Sequence, residues 1–216
     1  MLERGNILLE IESKYSASED QINSLLEVDA LGKYSLKDAG EHHLTDHYMD
    51  TADGDILKGG YACRVRKKGE RWVVTLKGLG GADGAIHQRE EYEMAVPPGT
   101  TLNQWPDDPT RDLIKSLSCS KLLTELFVIR QHRTLREVYH SRRLVGEMSL
   151  DAVAMMTSSG QIKRSYEVEI ELDENGTLDD LNALDKIMRD YGLRPEPHSK
   201  FDRAMAILKS CPKTVG

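Results

Sequence analysis

The sequence is short of cysteine, of long apolar runs and of any basic excess, and each shortage removes a class of protein. Three cysteines occur in 216 residues, Cys63, Cys119 and Cys211. They are widely spaced, with no CxxC and no Cys/His zinc pattern, so a reducing compartment fits better than a disulfide framework. No stretch is apolar for long enough to cross a bilayer. The opening residues, MLERGNILLEIESKY, lack the apolar core of a signal sequence. A soluble, cytoplasmic protein with no membrane partner is therefore expected. Lys and Arg number 29 against 36 Asp and Glu, a formal net charge of -7. That balance argues against a general nucleic-acid binder, although basic residues can still cluster locally. Repeats, low-complexity tracts and long linkers are also missing. The length suits one substantial core better than two, so a single domain over residues 1–216 is expected.

Hydrophobic residues make up 39% and charged residues 30%, a polar chain without the composition of a disordered one. Turn clusters fall at Asp53-Gly54, Gly59-Gly60, Gly78 to Gly84, Pro97-Pro98-Gly99, Ser158-Ser159-Gly160 and Asn175-Gly176. The runs between them, rich in β-branched residues, Tyr and Leu, predict strands near 7–16, 43–50, 60–68, 71–78, 86–95, 126–140, 143–157 and 162–173. Helices are predicted near 18–27, 178–191 and 199–209, and helical pieces near 101–105 and 110–119. Leu178, Leu181, Leu184, Ile187 and Met188 recur at helical spacing, with Thr177 placed to cap them. About eight strands joined mostly by short turns favour an antiparallel meander over a βαβ design.

Alternation within these strands is unusual in its chemistry. Residues two apart in a strand share a face, so Glu10, Glu12 and Lys14 lie opposite Leu9 and Ile11. Glu167, Glu169 and Glu171 lie opposite Val168, Ile170 and Leu172; Arg64 pairs with Arg66, and Arg89 with Glu91 and Glu93. A sheet with one solvated face explains any single strand of this kind. Several such strands together, with enough helix to cover the apolar face, favour closing the sheet so that the charged face lines a wet channel.

The order of motifs then becomes recognisable. Glu10-Ile11-Glu12-Ser13-Lys14 reads ExExK, followed by Tyr48-Met49-Asp50-Thr51, Leu57, Gly59-Gly60 and Arg64-Val65-Arg66. Trp72 to Gly78 carries Lys77; Arg89-Glu90-Glu91-Tyr92-Glu93 reads RxExE; Arg133, Glu147 and Asp151 follow. Tyr166 to Glu171 supplies a second acidic strand, and Ser199-Lys200 with Arg203 a closing SKxxR. In this order, from about residue 8 to residue 206, the chain resembles the CYTH domain, also called the triphosphate tunnel metalloenzyme superfamily. The resemblance implies an α+β fold: an eight-stranded antiparallel β-barrel forming a tunnel with a polar interior, surrounded by helices.

It also implies roles. Lys14, Arg64, Arg66, Lys77, Arg89, Arg133, Lys200 and Arg203 would form a cradle for a small-molecule triphosphate, Arg through its bidentate fork and Lys as a point charge. Lys14 and Lys200 are also the candidates for assisting proton movement. Carboxylates on one strand face stand about 7 Å apart and repel by about 2 kcal/mol per pair at an intermediate dielectric, which a hard divalent cation relieves. Glu10, Glu12, Glu167 and Glu169 are assigned to a first Mg²⁺ or Mn²⁺, and Glu91, Glu93, Glu147, Asp151 and Glu171 to a second ion or its waters.

The expected activity is metal-dependent hydrolysis of a terminal phosphoryl group from tripolyphosphate or a related triphosphate. Alternatives are a class IV adenylyl cyclase, a thiamine triphosphatase and a non-catalytic polyphosphate or nucleotide sensor. Gly60-Tyr61-Ala62-Cys63 stands where the thiamine branch carries a stacking Trp, which weighs against it. Both acidic pairs are present, which weighs against the sensor. Of the seven histidines, His42, His43, His47 and His132 show no ligand spacing with cysteine and are expected at the surface or in packing, and Trp72 and Trp105 in the core or an interface. GLGGADG at 78–84 lacks the Lys-Ser/Thr ending of a P-loop and is expected to form a hairpin loop at the tunnel mouth.

Overall fold

The computed structural model describes residues 7–68, 71–80, 82–83, 85–157, 160 and 162–210. Cys211, parts of the loops at 78–84 and 158–161, and both chain ends lie outside the described residues. In chain order the elements are β1 (Ile7–Ala17), α1 (Glu19–Leu26), β2 (Ala30–Leu31), β3 (Tyr34–Asp50), α2 (Asp55–Lys58), β4 (Tyr61–Lys68) and β5 (Arg71–Gly78). Then come β6 (Ala82–Asp83), β7 (Ile86–Val96), a 3-10 turn (Leu102–Gln104), α3 (Pro109–Ser118), β8 (Thr124–His140) and β9 (Arg143–Thr157). The chain continues with β10 (Ile162–Leu172), α4 (Leu178–Asp190), β11 (Arg194–Pro195) and α5 (Lys200–Ser210). Among the described residues no helix is long and apolar enough to cross a membrane.

The eight long strands run antiparallel in the ring β1-β10-β9-β8-β3-β4-β5-β7, and β7 pairs back onto β1 from Ile7↔Tyr92 to Ser13↔Ile86. That last pairing closes the sheet into a barrel. The expected eight strands are all present. β3 differs most from expectation: it starts at Tyr34, not near 43. Its first half reads KDAGEHH, with a register shift between Asp38 and Gly40, and Gly40 takes φ +99, which hides the alternation. The helical piece expected near 101–105 is a 3-10 helix over Leu102–Gln104.

Local sequence explains the helix starts. Ser18 caps α1 in a box with Gln21, Asp108 caps α3 ahead of Pro109, and Thr177 caps α4 in a box with Asp180. α2 has no side-chain cap from its N-cap residue, Gly54. Instead the buried Asp50 carboxylate accepts from the backbone N–H of Thr51 (2.7 Å), Ile56 (2.9 Å) and Leu57 (3.0 Å).

Burial sorts by parity. On the outside of the barrel, Tyr15, Val168, Ile170, Met148 and Leu150 pack against Leu25 of α1 and Leu181, Leu184 and Met188 of α4. Around the ring, Cys63, Val74, Leu76 and Met94 pack against Ile56 of α2, Trp105 and Ile114 of α3. A third cluster is interior: Tyr48, Ala62, Phe127, Ile129, Val153 and Met155 fill one end of the barrel, and α5 seats Phe201 and Ala204 on them. The passage is therefore packed shut at one end by apolar side chains.

Candidate active site

The rest of the interior is a cavity of about 370 Å³ whose lining alternates acid and base. Seven bases (Lys14, Arg64, Arg66, Lys77, Arg89, Arg133 and Lys200) and eight carboxylates (Glu10, Glu12, Asp46, Glu91, Glu93, Glu147, Glu169 and Glu171) face it. Each sits on the barrel-inward parity of its strand, except Lys200, which α5 delivers from the packed end. A second cavity, about 430 Å³, lies on the outer side of β3 and β4, bordered by Trp72, Trp105, Met49 and Leu122. Its apolar walls offer no ladder of cations to a polyanion, so the interior cavity is the candidate site.

The innermost groups form one buried network. Asp151, fully buried, takes a two-pronged contact from Arg133 (2.7 and 2.6 Å) and lies 3.1 Å from Lys200 Nζ. Glu169 accepts from Lys200 (2.8 Å) and Arg133 (2.8 Å) and sits 3.2 Å from Lys14. Burial alone would raise its pKa, but Lys200, Lys14 and Arg133 hold it well below the usual carboxylate range. Glu167 contacts Arg203 through Oε1, while its buried Oε2 has no hydrogen-bond partner among the described residues and lies 3.4 Å from Lys200 Nζ.

Toward the middle of the cavity Lys14 donates to Glu12 (2.9 Å), and Lys77 spans Glu10 (2.8 Å) and Glu91 (3.1 Å). Burial works against charge on Lys14, Lys77 and Lys200, yet the facing carboxylates raise all three above the ordinary lysine pKa. They are ammonium ions at neutral pH. Burial and Glu169 would raise Glu12, but Lys14 and Lys77 together leave it lowered, whereas Glu10 is raised, burial together with Glu12 and Glu91 outweighing Lys77. At the mouth Glu93, Glu147 and Glu171 are exposed. Partial desolvation there, with Glu10 and Glu12 nearby, pushes Glu171 up to about 7 against the pull of Lys77. The mouth is acidic and crowded.

Of the residues named from sequence, Glu10, Glu12, Lys14, Arg64, Arg66, Lys77, Arg89, Glu91, Arg133, Glu169 and Lys200 line this one cavity, and Glu167 and Asp151 lie beneath it in the ion-pair network. Arg203 does not line it; it braces Glu167 and lies 3.4 Å from Glu196. Among the described residues, no three His, Cys, Asp or Glu side chains already converge as a ligand set. The carboxylates turn to lysine and arginine instead.

Four participants escaped the sequence reading. Asp46, fully buried, grips Arg66 and accepts from Gln131 (2.7 Å). His87 is fully buried and touches Arg89, and the backbone of Glu196 reaches that ring. Asp46 shares a strand face with Tyr48, two residues away, so parity alone carried a signal for it. By contrast His42, His43 and His132 are exposed, Trp105 is buried in the outer cluster, and Trp72 is half-buried.

Set against known proteins, the CYTH domain family model matches residues 8–205. The chain belongs to the CYTH domain family. Solved structures share the fold at low identity. A Hippeastrum protein, described as a candidate adenylyl cyclase with a dominant triphosphatase activity, superposes with TM-score 0.62 at 21% identity, over 93% of this chain and 95% of its own. A candidate adenylate cyclase from Bacillus halodurans gives TM-score 0.60 at 20% identity, over 90% and 96%. Another from Vibrio parahaemolyticus gives 0.53 at 13%, over 93% and 99%.

Proposed function

We propose that this CYTH protein is a divalent-metal-dependent hydrolase that removes the terminal phosphoryl group of tripolyphosphate or a related short triphosphate. The supporting observation is the charge balance of a cavity closed at one end: seven bases face eight carboxylates. A triphosphate brings about four further negative charges. The basic residues give its oxygens their donors, but the carboxylates would repel it unless cations accompany it.

The donor set suits such cations. It is all oxygen, and Glu171, Glu10 and Glu12 crowd one another where a hard cation relieves the repulsion. Glu10, Glu12 and Glu171 would hold the first ion, with Glu91 and Glu169 beside them, while Asp151 and Glu167 stay committed to the inner network. Bound Mg²⁺ or Mn²⁺ supplies charge neutralisation at the phosphate oxygens and a more acidic water.

The side chains do the rest. Arg64 and Arg89, the cations with the least carboxylate contact, bind non-bridging oxygens, and Lys77, Lys14 and Lys200 extend the cradle inward. Lys14 and Lys200 act as fixed positive charges on the phosphate, since their raised pKa values keep them protonated and unable to accept a proton at neutral pH. In the reaction a water oxygen bonds to the terminal phosphorus and the bridging P–O bond breaks. Orthophosphate and diphosphate leave, the latter's new charge met by Arg64 and Lys77. The apolar end formed by Phe127, Ile129 and Met155 stops a linear polyanion from threading through, which fixes the depth of its inner phosphate.

The test is a panel of tripolyphosphate, ATP, thiamine triphosphate and pyrophosphate, each with Mg²⁺ or Mn²⁺. Phosphate release from tripolyphosphate far above the others is expected. Cyclic AMP from ATP as the main product would replace this reading with a cyclase.

A further inference from the structure

His87 points into the barrel from β7, two residues before Arg89, and the proposed reaction gives it no task. The ring is fully buried. Its Nε2 lies 3.0 Å from the backbone carbonyl of Glu196, and Arg89 Nη2 contacts its Nδ1. A guanidinium has no acceptor and a carbonyl no donor, so both ring nitrogens are assigned. Nδ1 accepts from Arg89, Nε2 carries the hydrogen, and the imidazole is neutral. Burial, Lys14 and Arg89 all act to keep it so.

The partner at Glu196 matters. Its N–H donates to the Lys14 carbonyl (2.9 Å), and its side chain lies 3.4 Å from Arg203, four residues before α5 delivers Lys200. His87 therefore ties β7 to the segment that leads into α5, the two lying along the same edge of β1. Arg89 differs from its neighbours in how it is held. Arg66, Arg133 and Lys77 are each oriented by carboxylates, which cancel part of their charge. Among the described residues Arg89 has no carboxylate partner, and its Nε is buried without an acceptor. A neutral acceptor fixes direction without spending positive charge.

We propose that His87 is a positioning residue of the phosphate cradle, its neutral ring holding Arg89 against the Glu196 carbonyl so that an undiminished guanidinium meets the polyphosphate. The inference rests on the triphosphate reading of the cavity.

Binding of a methylene-bridged, non-hydrolysable tripolyphosphate analogue is measured by calorimetry with Mg²⁺, alongside KM and kcat for tripolyphosphate with Mg²⁺, for the wild type, His87→Ala, His87→Asn, Arg89→Ala and the double variant. His87→Ala is expected to raise Kd and KM roughly tenfold with kcat little changed. His87→Asn, whose amide oxygen restores an acceptor near Nδ1, recovers most of that loss. In the Arg89→Ala background His87→Ala adds less than about twofold, because the two residues act as one unit. Unchanged affinity in folded His87→Ala, or the same loss in both backgrounds, overturns the proposal. Nitrogen-15 NMR of the ligand-free protein gives an arm independent of substrate and of how His87→Ala folds. An Nε2–H tautomer whose Nδ1 resonance moves in Arg89→Ala supports the link; the opposite tautomer, or an unmoved resonance, refutes it. If the wild type binds neither the analogue nor tripolyphosphate with Mg²⁺ present, the proposed function fails, and the NMR arm still decides whether His87 holds Arg89.

Discussion

Arg66 grips Asp46 through two guanidinium nitrogens, Nη2 standing 2.7 Å from Oδ2, while Arg64 on the same face of β4 comes no closer to that carboxylate than 3.9 Å. Two arginines of one motif are therefore in different states before any substrate arrives. Arg66 is committed to a buried anion. Arg64 donates to the Thr75 hydroxyl (3.1 Å) and keeps a buried Nε without an acceptor among the described residues.

Arg64→Ala and Arg66→Ala should consequently separate binding from stability. The first removes an available phosphate donor and is expected to raise KM roughly tenfold or more while changing the urea midpoint little. The second leaves buried Asp46 with Gln131 as its remaining close partner and is expected to cost about 3 kcal/mol of stability. Equal stability losses in both, by urea unfolding, would contradict the division.

Asp151 makes a related prediction for the inner network. It faces both Arg133 and Lys200 and is fully buried. Asp151→Ala strands part of two cations away from water, so a loss of about 3 kcal/mol is expected even with no ligand present. A variant as stable as the wild type would show that Glu169 and Glu167 alone satisfy both cations.

Asp50 belongs to the Tyr48-Met49-Asp50-Thr51 motif but not to the cavity lining. Its three N–H contacts start α2 and set the turn ahead of β4. Asp50→Ala is expected to lower stability by about 2 kcal/mol, with kcat and KM unchanged well below the melting temperature. Thermal melts read beside the kinetics at a low assay temperature check this.

Asp180 contributes to the acid limb of stability. Arg143 (2.9 Å), Thr177 and Tyr34 hydrogen-bond its carboxylate and, with Arg143 the largest influence, hold its pKa below the ordinary value. The unfolded chain then binds the proton more readily, so this contribution is complete above about pH 4 and is lost as pH falls below it. Stability should rise with pH across that window and rise less steeply in Asp180→Asn. Parallel curves by urea unfolding between about pH 2 and 5 would remove Asp180 from this role.

Much of the barrel was legible in the sequence because period two is a local property. Glu10, Glu12 and Lys14 declare one face of β1 without any knowledge of the fold, and Glu167 to Leu172 does the same for β10. Which carboxylate meets which cation was not legible. Lys77 reaches Glu10 across 67 positions, and Lys200 reaches Glu169 across 31, through pairings set by register and barrel closure. Glu167 and Glu169 read alike as alternating glutamates, yet one is fully buried beneath Arg203 and the other lines the cavity. His87 was missed for a similar reason: its partners are a guanidinium two residues away and a carbonyl 109 positions on, and no motif spacing announces either. The apolar end escaped because Phe127, Ile129, Val153 and Met155 look like any buried strand residues until the ring closes around them.

The most direct measurement follows tripolyphosphate by phosphorus-31 NMR in the presence of the protein, first with Mg²⁺ or Mn²⁺ and then with EDTA. Terminal cleavage by residues lining a blind cavity predicts orthophosphate and diphosphate in equal amounts with either ion, and none with the chelator. Tripolyphosphate left intact under both metals, while ATP in the same samples yields cyclic AMP, would contradict the account.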